Sequence, residues 1–255
     1  MASKHAFLLA AGVLLLTTSP LHAQPSPELT MEIYTSNVQA LTNSMINASV
    51  LDAAVRRNSG RPTAPSGSKS AAARPTTTKT SAGSTAYTST PALRQQTVQG
   101  YVSRLRGSNP AGAQAVNTAF GPGKYDYGTV YRSILDGTGL HDNDAADALA
   151  AYMLMGYAIV HNIQDGKAIT VPMARGVRAQ VAPLLAGTGA SRSRLAQLGE
   201  EMKLQAVIVQ GGWQSAIKEG KLATYQQGIS NLFKTQYGLN LSQVKLTDQG
   251  LASSK

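Results

Sequence analysis

Cysteine is absent from the 255-residue chain. That excludes a disulfide framework, a thiolate metal site and a cysteine nucleophile. Histidine is scarce: there are four, and two of them, His5 and His22, stand near the N-terminus. A mechanism that needs two or three histidines at one centre is therefore close to excluded. Acidic residues are missing from a long stretch, Ala53 to Tyr125, which holds ten Lys or Arg and not one Asp or Glu. Long apolar runs are missing too. The two longest, about 12 residues from Ala6 and 13 from Ala148, fall short of the roughly 20 needed to cross a bilayer. No Gly-x-Ser-x-Gly elbow, Walker loop, dinucleotide fingerprint or His-Glu-x-x-His occurs, so no cofactor is implied.

What is present begins with a leader. Lys4 and His5 open a short polar start, Ala6–Thr17 is almost wholly apolar, and Ser19-Pro20-Leu21-His22-Ala23 ends on a small residue. Residues 1–23 read as a secretory signal peptide cleaved after Ala23. The mature chain is expected to be exported, periplasmic or extracellular, with no transmembrane span. Residues 24–57 read as a separate N-terminal helix docked on the main domain, with Tyr34, Val38, Leu41, Met45, Ala48 and Val55 at three- and four-residue steps. Residues 58–91 are mostly Ser, Thr, Ala, Pro and Gly and contain no Leu, Ile, Val, Phe, Met or Trp. A stretch that buries so little apolar surface cannot offset the entropy of ordering, and it is expected to be a disordered basic linker.

Residues 92–255 form the core domain. Apolar positions recur with helical period at Val98–Leu105, Tyr127–Ile134, Ala174–Leu185, Leu195–Ile217 and Leu222–Phe233. Asp144–His161 is apolar on nearly every side and reads as the central helix. Thr170 with Pro172, and Ser191, are N-cap signals. Gly211-Gly212 is expected to kink or split the longest helix. Only Leu239-Asn240-Leu241 and Val244-Lys245-Leu246 hint at extended chain. The fold class is all-α, an irregular bundle of about six helices preceded by the N-terminal helix and the linker.

The net charge of +10 is local. From Asp126 to the C-terminus there are 12 cations and 10 acids, so the excess sits in the linker and its flanks. A basic segment attracts polyanions by long-range, salt-sensitive forces. Outside the cytoplasm these are lipid phosphates, acidic glycans and cell-wall polymers, while solvation of a weakly polar linker is the bland alternative. Tyr87 is the linker's lone aromatic residue, so a base-stacking, nucleic-acid-binding surface is not supported.

Asp136, Asp142, Asp144 and Asp147 crowd around His141. The run lacks the EF-hand order of oxygen ligands, and helix capping by Asn143 or Asp144 explains it better than a metal. His141 and His161 flank a helix about 25 Å long and cannot share an ion. His141 with Asp142 or Asp144 is the acid–base candidate. Arg178 lies on the flank of its helix's inner face and wants a carboxylate, for which Asp147 is the natural choice. That pair reads as a structural ion pair, with an anion pocket as the alternative. Tyr127 and Tyr131 belong to a tyrosine group that either packs the core or presents a sugar- or peptide-binding handle.

The plan of leader, helix, variable linker and helical domain, with Asp144-Ala-Ala-Asp147-Ala-Leu-Ala-Ala-Tyr152, Arg175-Gly-Val-Arg178-Ala-Gln180 and Leu246-Thr-Asp-Gln-Gly250, resembles a family of exported bacterial proteins classed as a domain of unknown function. The likeness covers roughly residues 95–250. It implies export and a helical domain, and it carries no activity or site residues. The leading functional expectation is a non-enzymatic binding module at the bacterial cell envelope, meeting an envelope polyanion or protein partner through its basic linker. The rival is an envelope hydrolase or secreted effector with an Asp/His acid–base site. Self-association through Tyr-rich or Ala-rich faces is a further alternative.

Overall fold

The computed structural model describes residues 48–58 and 84–254, together with Pro27 and Thr30. The expected signal peptide, most of the expected 24–57 helix and the linker up to residue 83 lie outside the described residues.

Helix starts follow local side-chain chemistry. Thr90, Asn109, Asp126, Asp144, Thr170 and Ser191 each accept a hydrogen bond from a first-turn amide, and Pro91, Pro110 and Pro172 occupy first turns where no amide is needed. The elements are α1 (Ala48–Asn58), α2 (Pro91–Ser108), α3 (Pro110–Phe120), α4 (Tyr127–Leu135), α5 (Ala145–Val160), α6 (Val171–Ala186), α7 (Arg192–Lys218) and α8 (Leu222–Tyr237), closed by a hairpin of β1 (Val244–Thr247) and β2 (Gly250–Ser253). The fold is all-α, as the periodicity implies. It differs in holding α3, an Ala-rich helix whose stripe is too weak to stand out. Leu241–Gln243 is a short 3-10 turn rather than extended chain, and the second strand comes from Gly250–Ser253 instead.

Two helices share the centre. In α5, fourteen of the sixteen residues are buried. Every residue of α7 from Leu198 to Val209 is buried as well, the charged Glu200, Glu201 and Lys203 included. Each fully buried Leu, Ile or Met contributes roughly 2 kcal/mol. Gly156 lets Phe233 lie against α5, since a Cβ there would stand 2.4 Å from that ring. The same ring stacks on Tyr152 at 5.2 Å. The 27-residue helix α7 runs unbroken through Gly211-Gly212, and Gly212 makes room for the Tyr225 hydroxyl, which would meet a Cβ at 2.5 Å.

The hairpin lies across α6. Its register pairs Val244 with Ser253 and Thr247 with Gly250. Gly176 permits a backbone-to-backbone approach, for a Cβ there would meet the Gly250 amide at 2.4 Å. Gln180 acts as a substitute strand, accepting from the Leu251 amide at 3.0 Å and donating to its carbonyl at 2.7 Å. Asn58 at the end of α1 donates to the carbonyls of Gln249 at 2.9 Å and Leu251 at 3.1 Å. The open edge of β2 is thereby satisfied, and the end of the N-terminal helix is docked on the core.

Residues 84–90 fall inside the span read as linker, yet they run extended against the start of α5. The Tyr87 amide donates to the Asn143 carbonyl at 2.9 Å, and the Ala145 amide to the Thr85 carbonyl at 3.0 Å. Thr85, Tyr87 and Ser89 turn inward while Ala86 and Thr88 face solvent. What orders this segment is buried charge rather than apolar surface.

Candidate functional site

Beneath residues 84–90, α4, α5, α6 and α7 bring together a buried ionic centre. Lys203 is fully buried on α7. Its Nζ pairs with Asp142 Oδ1 at 2.6 Å and Glu200 Oε1 at 2.8 Å, and donates to the Asp142 carbonyl at 3.1 Å and Ser89 Oγ at 3.3 Å. It also stands over the Tyr131 ring at 5.4 Å and the Tyr87 ring at 5.8 Å. Glu200 accepts from the hydroxyls of Tyr87 at 3.0 Å and Tyr127 at 2.7 Å. Gly199 makes room for Tyr87, since a Cβ there would lie 2.5 Å from its ring. Burial first, then the charge of Glu200, pushes the phenols of Tyr87 and Tyr127 up, so both remain proton donors.

Around this lies a second ring of contacts. Asp144 caps α5, accepts from the Thr85 hydroxyl at 2.8 Å, and meets Arg178 Nη2 at 3.3 Å. Asp147, with no exposed surface on its side chain, pairs through Oδ1 with Arg178 Nε at 2.5 Å. Its Oδ2 takes the His141 amide at 2.9 Å and the His141 ring Nδ1 at 3.0 Å. The Asp147–Arg178 pair expected from the sequence is thus formed. Tyr127 and Tyr131 face the same centre from α4. Burial, then the charges of Asp142, Asp147, Glu200 and Asp144, hold the Tyr131 phenol well above its ordinary range.

Sequence reasoning brought forward Asp147, Arg178, Tyr127 and Tyr131 but missed Lys203, Glu200, Thr85 and Tyr87. The missed signal is Glu200-Glu201-Met202-Lys203 inside a helix already rich in Leu, Val and Ile. Asp142, Asp144 and Asp147 of the acidic run are accounted for by capping and pairing, and among the described residues no cluster of His, Asp and Glu has the spacing to hold a metal. Two shallow hollows, of about 500 Å³ beside Ser84–Thr88 and Arg192 and about 150 Å³ beside Arg104 and Glu201, do not include His141, Asp147 or Arg178. Among the described residues no helix is long and apolar enough to cross a membrane.

Glu201 pairs with Arg104 at 2.8 Å on the far side of α7. Burial raises its carboxyl above the usual range despite the opposing pull of Arg104. A carboxyl raised in the folded state costs stability at neutral pH, and that cost fades as pH falls through its folded value. Glu201→Gln is therefore expected to melt at the same or a higher temperature than the natural chain at pH 7, with the advantage shrinking towards pH 4. Thermal unfolding followed by circular dichroism across that range checks it. A lower melting temperature at pH 7 would show that Arg104 outweighs the burial.

Fold and site together define an all-α domain built about a buried ionic centre. The chain belongs to a family of unknown function (DUF6683), whose model matches residues 2–253, nearly the whole chain rather than the core alone. No curated protein matches it, and no solved structure does.

The motif blocks that carry the family likeness have physical roles here. Asp144 and Asp147 cap and anchor α5, Arg178 receives them on α6, Gly176 and Gln180 hold the hairpin, and Leu246–Gly250 spans the hairpin's turn at Asp248-Gln249.

Proposed function

We propose that the chain is an exported, non-enzymatic binding module of the bacterial cell envelope, held to anionic polymers by its basic stretch. One observation carries this reading: the ten cations of residues 53–125 have no acid among them. Within the folded part, Arg94 is matched by Asp126 at 2.8 Å and Arg104 by Glu201 at 2.8 Å. Arg106 and Lys124 remain exposed. Arg56 pairs with Asp52 at 2.6 Å and Arg57 is exposed at the end of α1, and Arg61, Lys69, Arg74 and Lys79 complete the ten on the sequence between α1 and the core.

The test is co-sedimentation with purified cell-wall sacculi at low and high salt. A variant with Arg61, Lys69, Arg74 and Lys79 changed to Ser leaves Tyr87 and Ser89 on the ionic centre, which truncation to residue 92 would not. The natural chain is expected to pellet at low salt and be released at high salt, and the variant to stay in solution at both. Equal pelleting of the two would sink the tether.

A second reading, an envelope hydrolase or secreted effector, is favoured by His141. Its ring is 80% exposed while Nδ1 rests on the buried Asp147, the arrangement of a base held by a carboxylate. Here the orienting residue is Asp147 rather than Asp142 or Asp144. Soluble fragments released from sacculi by the natural chain but not by His141→Ala would establish it.

A further inference from the structure

Asp147 is buried, yet it spends its two oxygens on two groups that reach the surface. Oδ1 holds the Arg178 guanidinium, whose side chain is 38% exposed, and Oδ2 holds the His141 ring, 80% exposed. Because one carboxylate grips both heads, they sit side by side. Arg178 uses Nε on Asp147 and Nη2 on Asp144. Its Nη1 and the His141 Nε2 have no hydrogen-bond partner among the described residues. The His141 amide alone would pin the loop to Asp147, so stability does not require the exposed ring to be held as well.

The electrostatics are layered. Inside stand the carboxylates of Asp147, Asp144, Asp142 and Glu200, whose side chains are at most 24% exposed. Their charges are met by Lys203 and Arg178, and by Arg132, which pairs with Asp142 at 3.5 Å. The outer layer holds Arg132, half exposed, the exposed His141 ring, Arg178, and the exposed Arg175, whose guanidinium lies beside Gly139. A guanidinium edge next to an imidazole, both oriented from behind, matches the oxygens of a phosphate group.

We infer that His141 and Arg178 form a phosphate-binding site, with Asp147 as the positioning residue. The inference rests on the envelope-polyanion reading and names the chemical group recognised. A single phosphate binds weakly at so open a site. A polymer or lipid surface already captured by the basic stretch presents phosphate at high local concentration, and there the site adds selectivity.

The test is a titration of the full chain, labelled at histidine and arginine nitrogens, with inorganic phosphate, and with sodium chloride at matched ionic strength as control. The His141 Nε2 resonance, assigned by its loss in His141→Ala, is expected to shift saturably with phosphate only. The His161 resonance should stay still, because its Nε2 is occupied by the Leu241 carbonyl at 2.9 Å. Arg178→Lys keeps a cation for Asp147 but loses the planar fork, and affinity should fall about tenfold. Should that variant unfold, His141→Ala serves in its place, read at the Arg178 Nε resonance, with the same loss expected. Repeating the titration with phosphatidylglycerol vesicles separates a headgroup from free phosphate: a shift with either probe supports the site. Equal shifts from phosphate and chloride, together with none from vesicles, would overturn it. Sacculus pelleting is a separate readout. Its loss with the phosphate shift retained defeats the tether alone, and the converse defeats the site alone.

Discussion

Lys203→Met is expected to lower the unfolding free energy by about 3–5 kcal/mol, the usual cost of leaving buried charge without its partner. The lysine side chain is fully buried and is the cation that Glu200 and Asp142 share, at 2.8 and 2.6 Å. Met keeps the stem's packing and removes the charge, so the loss reports on electrostatics. Glu200 retains the Tyr87 and Tyr127 hydroxyls, which soften but do not replace a cation. Urea unfolding of the natural chain, Lys203→Met, and Lys203→Met with Glu200→Gln checks the origin of the effect. The double variant should recover part of the loss, because fewer carboxylates are stranded. A single-variant loss under about 1 kcal/mol would mean that water reaches the centre and screens it.

Gly176→Ala should detach the hairpin. The added Cβ would stand 2.4 Å from the Gly250 amide nitrogen and 2.5 Å from the Asp248 carbonyl oxygen. Both are backbone atoms, so relief requires the hairpin to lift from α6, carrying Leu251 away from Gln180 and Asn58. Overpacking of this kind costs about 1–3 kcal/mol, beyond the roughly 1 kcal/mol that Ala gains over Gly in a helix. Gly211→Ala is the matched control. Nothing lies within 4 Å of its would-be Cβ, so it should stabilise by up to about 1 kcal/mol. Amide hydrogen exchange gives the local signature: Leu251 loses protection in Gly176→Ala and keeps it in Gly211→Ala.

How much of this is legible in the sequence depends on which force holds each part. α5 and α6 show themselves because their caps, Asp144 and Thr170, adjoin long apolar faces. The Asp147–Arg178 pair shows itself because each charge interrupts an otherwise inward-facing stripe. Lys203 and Glu200 do not, since charges three residues apart on a helix ordinarily mark a solvated face. They are buried only because distant hydroxyls and Asp142 answer them. Residues 84–90 mislead for the complementary reason. Their inward side chains are Thr85, Tyr87 and Ser89, which composition assigns to a linker, and their worth lies in satisfying carboxylates that another part of the chain supplies. α3 hides behind alanines, although Asn109-Pro110 is a legible helix start.

The hydrogen bonds from Asn58 to Gln249 and Leu251 span 191 and 193 residues of sequence. Closing so large a loop costs entropy that no local contact repays in advance. This seam between the first described helix and the last strand therefore belongs to the late events of folding. During synthesis α1 waits for the final residues before its seat is complete. Unfastening works from either side: trimming the last strand strips α1 of its anchor, and loss of α1 bares the edge of β2. The two ends of the described chain share one latch, and a cut near either should be felt at both.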